Sequence, residues 1–411
     1  MFRGSFKAPI SASNQIAALL LAQAPCQGRP ANSYAGRPAF SEQVMDDLAI
    51  IVGGTSLSGW SEIHVTRGAE RVPSAFDVTA TEKAPGQFRD VWIEAGAPVT
   101  VKIGGDLVLT GYVDRVIRQI SPTGHIVRVQ GRSKMQDIVD CSVTGDVLTG
   151  MSTFVADLLT LATQICKPYG ISVKSLTGDK VPVGKTAIPF SAALSETGSE
   201  VIETVARYTQ VLAYDDVDGN LVLAQAGGGG TMASGFAEGV NVQNAACSLS
   251  MDQRYSEYLP VFMSYQMFGQ GSIPALGKVL DKTVPRFRQL MVISEQFNSD
   301  GSLAEKRARW EMARRYGRSQ AVRLTCDSWR DSAGKLWQPN AYASLHLPSL
   351  KAAPKDPWVI GDVTYNRDAE RGTTAELALM PRGAFTPQPQ FLYPFAVGVG
   401  DDAVPPAGAA R

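Results

Sequence analysis

At 411 residues the chain exceeds what one ordinary core organises, and the length points to two to four domains. Hydrophobic residues make up 44% and charged residues 19%, with 39 Gly and 24 Pro, which is the composition of a turn-rich, β-rich globular protein. Lys and Arg total 39, as do Asp and Glu, so no overall field holds nucleic acid or an anionic membrane, and no apolar run reaches the roughly 20 residues that span a bilayer.

Residues Met1 to Asp47 are rich in Ala, Ser, Gln and Pro, and two readings stand. They are an extension, poorly ordered, ahead of an ancestral start near Met45, or they carry a short helix, Asn14 to Gln23, that docks on a partner. Ile16 to Ala22 imitates a secretory signal, but it sits at the short limit for one, and Pro25 before Cys26 spoils a lipobox. Leu48 to Val52 reads as a first strand. Ile63 and Val65 share one strand face, Phe76 and Val78 another.

From Val99 to Val143 a β-meander closes on a short helix. Val99, Val101 and Ile103 alternate with Thr100 and Lys102, Gly104 to Asp106 turns the chain, and Leu107 and Leu109 continue the apolar face. Gly111 interrupts the alternation where a bulge would bend the strand, and Ser121 to Gly124 makes a second turn. Ser133 to Asp140 then gives a helical turn or two, with Met135, Ile138 and Val139 on one side. Such a bent meander suits a small barrel.

Residues 148–210 read as a small α/β domain. Phe154, Val155, Leu158, Leu159, Ala162 and Ile165 recur at helical spacing behind Ser152 and Thr153 as caps, and Pro168-Tyr169-Gly170 stops the helix. A second helix spans Glu200 to Gln210, with Val201, Ile202, Val205 and Tyr208 as its buried side. Val211 to Gln225 is a hairpin turning at Asp218-Gly219. The Gly227 to Gly230 run leads into a strand at Asn244 to Asp252, another follows from Val261 to Met267, and Gly269 to Pro285 is a long loop. A helix at Ser302 to Tyr316 carries Lys306, Arg307, Arg309, Arg314 and Arg315 against Glu305 and Glu311. Strands follow at Ala321 to Ser328, Ala341 to Leu347, Trp358 to Tyr365 and Thr373 to Met380, and Thr386 to Arg411 reads as a Pro-rich tail.

No motif carries catalysis. Gly184-Lys185-Thr186 ends like a phosphate loop, but position 179 is Asp where the upstream glycine belongs, and Pro189 stands where a helix should run. Asp216, Asp218 and Asn220 open like a calcium loop, but Leu221 and Gly227 occupy the positions of its glycine and closing Glu, so a hairpin turn explains them. His64, His125 and His346 lie far apart without HExxH, and Cys26, Cys141, Cys166, Cys247 and Cys326 form no CxxC pair, which makes buried, reduced thiols the simpler reading. No GxSxG elbow occurs. The basic helix is a solvated or subunit-contact face by the pairs Glu305 with Arg309 and Glu311 with Arg315; the competing reading faces it to an acidic partner or a DNA conduit. Trp329 and Trp337, flanking the turn at Ser332 to Gly334, read as core or hairpin anchors before ligand stackers.

The run LTGYVDRVIRQI, followed by VRVQGRSKMQDIVDCSV, resembles the first domain of baseplate hub proteins of Mu-like contractile-tailed phages, relatives of the T-even hub and the P2-type late control D protein. Downstream, Asp327 to Asn340 (DSWRDSAGKLWQPN) and Leu379 to Phe385 (LMPRGAF) match the same family in the same order, and the resemblance covers Leu48 to Phe385. It implies a mainly β (α+β) fold of two similar small antiparallel β-barrel tube domains with two smaller inserted domains. The implied domains are 48–147 as the first barrel, 148–210 as the α/β domain, 211–258 with 320–385 as the split second barrel, and 259–319 as the insertion, between the 1–47 extension and the 386–411 tail.

The resemblance also implies a function: a structural, non-enzymatic hub of the virion tail baseplate, assembled in the host cytoplasm. Such hubs are homotrimers whose six barrels form a pseudo-sixfold ring. The ring joins the hexameric tail tube, or a tube initiator, to a trimeric central spike, beside tape-measure and baseplate wedge proteins, and DNA passes through its channel. No cofactor, metal or membrane insertion is implied. Because the matching motifs contain them, Tyr112, Asp114 and Arg115 in the first barrel and Trp329, Arg330 and Trp337 in the second are the candidate subunit or partner contacts. Two alternatives remain at this point: a tail-associated cell-wall hydrolase, for which no stretch is left over, and the hub or spike base of a contractile bacteriocin or secretion apparatus.

Overall fold

The computed structural model describes residues 46–81, 93–122, 124–143, 154–177, 188–190, 195–262, 277–294, 302–351 and 358–388. The expected N-terminal extension up to residue 45, the tail beyond Gln388, Gly184 to Thr186 and the first part of the 269–285 loop lie outside them.

Period-2 alternation builds most of the first half. β1 (Leu48–Val52) and β2 (Thr55–Leu57) make a hairpin over Gly53 and Gly54, both at positive φ. β3 (Glu62–Gly68), β4 (Ala75–Thr81), β5 (Pro98–Ile103), β6 (Asp106–Ser121) and β7 (Gly124–Ser133) follow, and α1 (Gln136–Asp140) closes the run. Next come β8 (Phe154–Ala156), α2 (Leu158–Cys166), β9 (Val173–Ser175), β10 (Ile188–Phe190), α3 (Gly198–Thr209), β11 (Leu212–Asp215) and β12 (Leu221–Ala224). The remainder holds β13 (Phe236–Ala237), β14 (Val242–Leu249), β15 (Glu257–Phe262), β16 (Val279–Leu280), β17 (Gln289–Ser294), α4 (Ser302–Arg318), β18 (Gln320–Cys326), β19 (Tyr342–Ala343), β20 (Leu345–His346), β21 (Trp358–Asp368) and β22 (Gly372–Pro381).

The fold is mainly β. One sheet of 12 strands runs β14-β18-β22-β21-β3-β4-β7-β6-β5-β1-β2, with β19 attached to β21, and hydrogen bonding does not close it into a ring among the described residues. Within it the same motif occurs twice. β3, β4, β5, β6, β7 and a helical turn are matched in chain order by β14, β18, β19, β21, β22 and the 3-10 turn Arg382–Phe385. The registers superpose: the cross-strand row Val65, Phe76, Gly131, Val113 in the first copy corresponds to Cys247, Val322, Leu379, Ile360 in the second. Each copy has a bulge at the next position, Asp114 in β6 and Gly361 in β21. The copies join edge to edge, β3 pairing antiparallel with β21 from Gly68 opposite Asp362 to Ile63 opposite Arg367. One continuous apolar core underlies both, from Leu48 and Ile50 through Val65 and Val78 to Trp329, Val363 and Leu379.

Several local expectations change. In β6 it is Val108, not Leu107, that is buried beside Leu109, because a bulge there shifts the pleat by one residue. Gly111 is not the bulge but lies between the bulges at Val108 and Asp114; a Cβ there would sit 1.9 Å from the Arg132 carbonyl oxygen, so β7 passes too close for any side chain. Phe154 and Val155 belong to a strand rather than a helix, and α2 starts behind Asp157, whose carboxylate accepts from the Thr160 amide at 2.9 Å, in place of Ser152 and Thr153. α3 opens with a reciprocal capping box between Thr197 and Glu200.

The hairpin β11–β12, expected at the head of the second barrel, also joins the α/β unit. β12 pairs parallel with β9, and Leu221 and Leu223 fill the core made by α1, α2 and α3. Its other face, Leu212, Tyr214, Val222 and Ala224, packs on Val359 and Phe385, so both faces of the hairpin are buried. The segment between β14 and β18 folds into the sheet β16-β15-β17 with α4 laid across it, Ala308 and Met312 meeting Tyr258, Val279 and Val292. Inside this insertion Arg254 and Asp281 form a buried ion pair at 2.6 Å, and Thr283 hydrogen-bonds both partners.

Candidate assembly surface

Tyr112, Asp114 and Arg115 mark the place where β6 outruns its neighbour. β5 begins at Pro98, opposite Tyr112, and from Arg115 onward β6 pairs only with β7 among the described residues. Asp114, the bulged residue, accepts from Arg132 Nε at 2.6 Å, and the same guanidinium donates to both oxygens of Asp140 at 2.7 and 3.1 Å. Arg132 is raised above the ordinary range by the Asp140 and Asp114 carboxylates, and Asp140 is held below it by Arg132. Beyond this clamp the strand continues on β7, and Ile117 and Ile120 are exposed, the latter at 86%.

The second-module candidates behave differently. Trp329 and Trp337 are fully buried, so they are hairpin anchors and present no surface. The Trp329 indole donates to the Thr374 carbonyl at 2.8 Å, and Trp337 donates to Ser328 at 2.9 Å while packing on Phe236 at 4.5 Å. The Tyr365 hydroxyl donates to the Trp337 carbonyl, and burial pushes its pKa up to about 12. Arg330 turns away from the tryptophans. It donates to Asp46 at 2.8 Å, to the Ile103 carbonyl at 3.1 Å and to Asp106, fastening the Trp329–Trp337 hairpin of the second copy to the β5–β6 turn of the first. Arg367 completes the clasp, stacked over Trp329 at 5.0 Å and bonded to Asp47 at 3.3 Å. Sequence reasoning missed Asp46, Asp47, Asp106 and Arg367. The only available signal was two adjacent acids placed just before the first strand.

The basic helix is largely tied within the chain. Arg309 bonds Glu305 at 2.6 Å and Arg315 bonds Glu311 at 2.6 Å, as the four-residue spacing requires. Arg314 donates to the Thr386 carbonyl at 3.0 Å and to Glu70 at 3.3 Å, lies over Trp310, and is pushed down by burial. Arg318, outside the expected set, reaches Glu70 at 2.9 Å. Arg307 is half-buried, and Lys306 is exposed. An open cleft of about 470 Å³ lies between Trp310 and α3; its charged walls, Glu70 with Arg314 and Glu203 with Arg207, cancel in pairs.

The remaining candidates fall into place as structural groups. Asp216 closes the β11–β12 turn by accepting from the amides of Asp218 and Asn220 at 2.9 and 2.8 Å, with Lys174 on its outer oxygen. His64 Nδ1 meets Asn366 Oδ1 at 2.8 Å across the module junction. No metal-ligating cluster occurs among the described residues. Cys166 and Cys326 are buried, and burial pushes their thiols up to about 12 and about 11, whereas Cys141 is exposed, contrary to expectation, at the C-cap of α1.

Comparison with known proteins accounts for both modules. Residues 47–133 match the family described as "Mu phage baseplate assembly protein GpP-like, N-terminal", residues 135–225 match "Baseplate hub protein gp44-like, second domain", and residues 301–388 match "Mu phage baseplate assembly protein GpP, fourth domain". The chain belongs to the Mu-type baseplate hub family. It is 27% identical over 340 residues to the baseplate hub protein gp44 of Escherichia phage Mu, covering 81% of this chain and 87% of that one. The 43 kDa tail protein of prophage MuSo2 from Shewanella oneidensis matches with a TM-score of 0.69 and 28% identity, covering 84% of this chain and 100% of that one. A tail protein from Neisseria meningitidis MC58 shares the fold, with a TM-score of 0.65 at 18% identity, covering 83% of this chain and 98% of that one. This hub is therefore a structural component of a Mu-like phage tail baseplate and not an enzyme.

Proposed function

We propose that this hub forms a homotrimeric, pseudo-sixfold ring that adapts the hexameric tail tube to the trimeric central spike and leaves a channel for DNA. One observation carries the reading: each chain holds two copies of one strand motif in a single sheet, so three chains supply six equivalent units. The ring units are 48–147 and the second copy, 226–258 with 320–385. The α/β unit and the 259–319 insertion flank the ring toward the spike, and tape-measure and wedge proteins are further neighbours. Assembly takes place in the host cytoplasm. Tyr112, Asp114 and Arg115, where β6 outruns β5, are subunit contacts. Arg330 and the two tryptophans shape the ring unit from within.

The polar face of the sheet suits a channel wall. Side chains alternating with the core positions include Thr66, Asp77, Gln130, Arg323, Thr364 and Glu376, with acids and bases interspersed, so the wall does not retain a polyanion. Light scattering behind a sizing column tests the reading, with the hub alone and with its cognate spike protein. The expected mass is that of three chains, rising when the spike is added; a hub that stays a single chain in both samples refutes the ring.

A further inference from the structure

The open cleft between Trp310 and α3 has the walls of a peptide groove, and the chain itself runs into it. Past the 3-10 turn Arg382–Phe385, Thr386, Pro387 and Gln388 are each half-buried, and the last two line one end of the cleft. The Trp310 indole donates to the Thr386 carbonyl at 2.7 Å, and Arg314 donates to the same oxygen at 3.0 Å. Gln388, its amide oxygen turned to Arg307, accepts from that guanidinium at 2.9 and 3.2 Å. α4 thus holds the chain on both sides of Pro387. Aromatic-lined grooves take proline-rich segments in this way, because such a backbone is already extended and leaves its carbonyls unbonded. Beyond that end the cleft keeps about 470 Å³ open, walled by Val72, Ile202, Ala206 and Ala213. Its charged groups cancel in the pairs Glu70 with Arg314 and Glu203 with Arg207, so it suits an uncharged apolar ligand and not an ionic one.

We propose that this cleft is the docking groove for the chain's own C-terminal segment, which lays Phe391-Leu392-Tyr393-Pro394-Phe395 between α4 and α3. The sequence supplies what the groove selects. Residues 389–400 carry no charge, Pro387, Pro389 and Pro394 favour an extended backbone, and the aromatic stretch starts three positions past Gln388. An extended chain covers that gap in about 10 Å, so the stretch falls within the groove that its own chain has entered. So short a tether sets an effective concentration on the order of millimolar, which favours the chain's own segment over that of a second copy at micromolar concentration. The docked segment straps α4 of the insertion to α3 of the α/β unit, and it does so whether or not the chain stands in a ring.

Photo-cross-linking tests the docking in full-length protein carrying p-benzoylphenylalanine in place of Tyr393. Irradiation should join the segment to α3 or α4 of the same chain, located by mass spectrometry, with the product keeping the mass of a single chain under denaturing conditions. Phe391→Asp with Phe395→Asp, which puts charge into an apolar groove, should cut that product about tenfold. A labelled peptide of residues 386–400 should bind this double variant about tenfold more tightly than it binds wild type, whose groove is already filled. Trp310→Phe in the double variant keeps the ring and removes the N–H donor, and it should weaken the peptide about threefold to tenfold. Cross-links to the groove of a second chain would overturn docking within the chain. Equal peptide affinity for wild type and the double variant would overturn occupancy by the chain's own segment and give the groove to a proline-rich segment of another protein. Cross-links that avoid both helices would overturn the groove itself.

Discussion

The internal junction of β3 with β21 and the outer edges of the motif pair, on β14 and on β6 past Asp114, are the same place in two copies of one motif, dressed differently. At the junction the strands are covered. Val65 and Tyr365 are buried beneath the sheet, and His64, Thr66, Thr364 and Asn366 satisfy one another above it. At the outer edges the equivalent positions hold Arg118, which donates to the Ile93 carbonyl at 2.8 Å, and Cys247 below, and Ile117, Gln119, Ala246 and Ser248 above, with large apolar groups in solvent nearby. A permanent contact within a chain tolerates a specific polar ladder. A contact that forms only on assembly relies on apolar area that stays exposed until then.

The sharpest way to break the comparison is to remove the anchor beneath the covered junction. Trp337→Ala deletes the ring packed on Phe236 and leaves the Tyr365 hydroxyl resting on a loosened hairpin. A loss of about 3–5 kcal/mol in equilibrium denaturation is expected. Because both copies share one sheet and one core, the wild type should lose both in a single transition. Two separated transitions would mean that the junction is weaker than its hydrogen bonding implies.

Gly131→Ala tests the tightness of the first copy. Its Cβ would lie 2.3 Å from the Tyr112 carbonyl and 2.6 Å from the Phe76 ring, so backbone must move, at a cost of about 1–3 kcal/mol. Gly124→Ala, at the open tip of the same hairpin, meets nothing within 4 Å and should fall within about 0.5 kcal/mol of wild type.

A smaller effect should follow pH. Burial alone would raise Asp77, but hydrogen bonds from Arg128 and Gln130 outweigh it and hold the carboxyl below its ordinary range. A depressed folded value adds stability above the unfolded pKa, and that stability is lost as pH falls through the folded value. Asp77→Asn should therefore be less stable than wild type at neutral pH, with the gap closing below about pH 4 in denaturation midpoints taken across that range. A gap unchanged at low pH would assign the loss to packing. On the basic helix, Glu305→Ala removes an exposed pair with Arg309 and should cost only about 0.3–0.5 kcal/mol, read the same way.

How much of this was legible in the sequence depended on whether contacts were local. The hairpin turning at Gly219, the helix carrying Glu305 and Arg309, and the first strand at Leu48–Val52 follow from spacing that each segment carries itself. The doubled motif does not. GYVDRVIRQ and WVIGDVTYN, the equivalent stretches of β6 and β21, share only the valine at 116 and 363, and their likeness lies in strand order and bulge position, which single-sequence patterning does not report. The Arg330 clasp was half legible. Its motif singled out the arginine, but Asp46 and Asp106 lie more than 200 positions away and were read as a boundary and a turn. The β11–β12 hairpin enters two cores because both its faces are apolar, and composition alone does not say which core each face enters.

The smallest expected effect on the single chain falls where assembly depends most on the side chain. Ile120 is 86% exposed near the end of β6, so Ile120→Lys removes almost no buried area and should leave the denaturation midpoint within about 0.5 kcal/mol of wild type. The same lysine places a solvated charge on a strand edge, the device by which natural sheets prevent edge pairing. The expected result is a fully folded chain whose three-chain mass is lost. A variant that keeps that mass would place the contact between chains on some other surface, and the internal junction would then stand as a packing solution particular to the single chain.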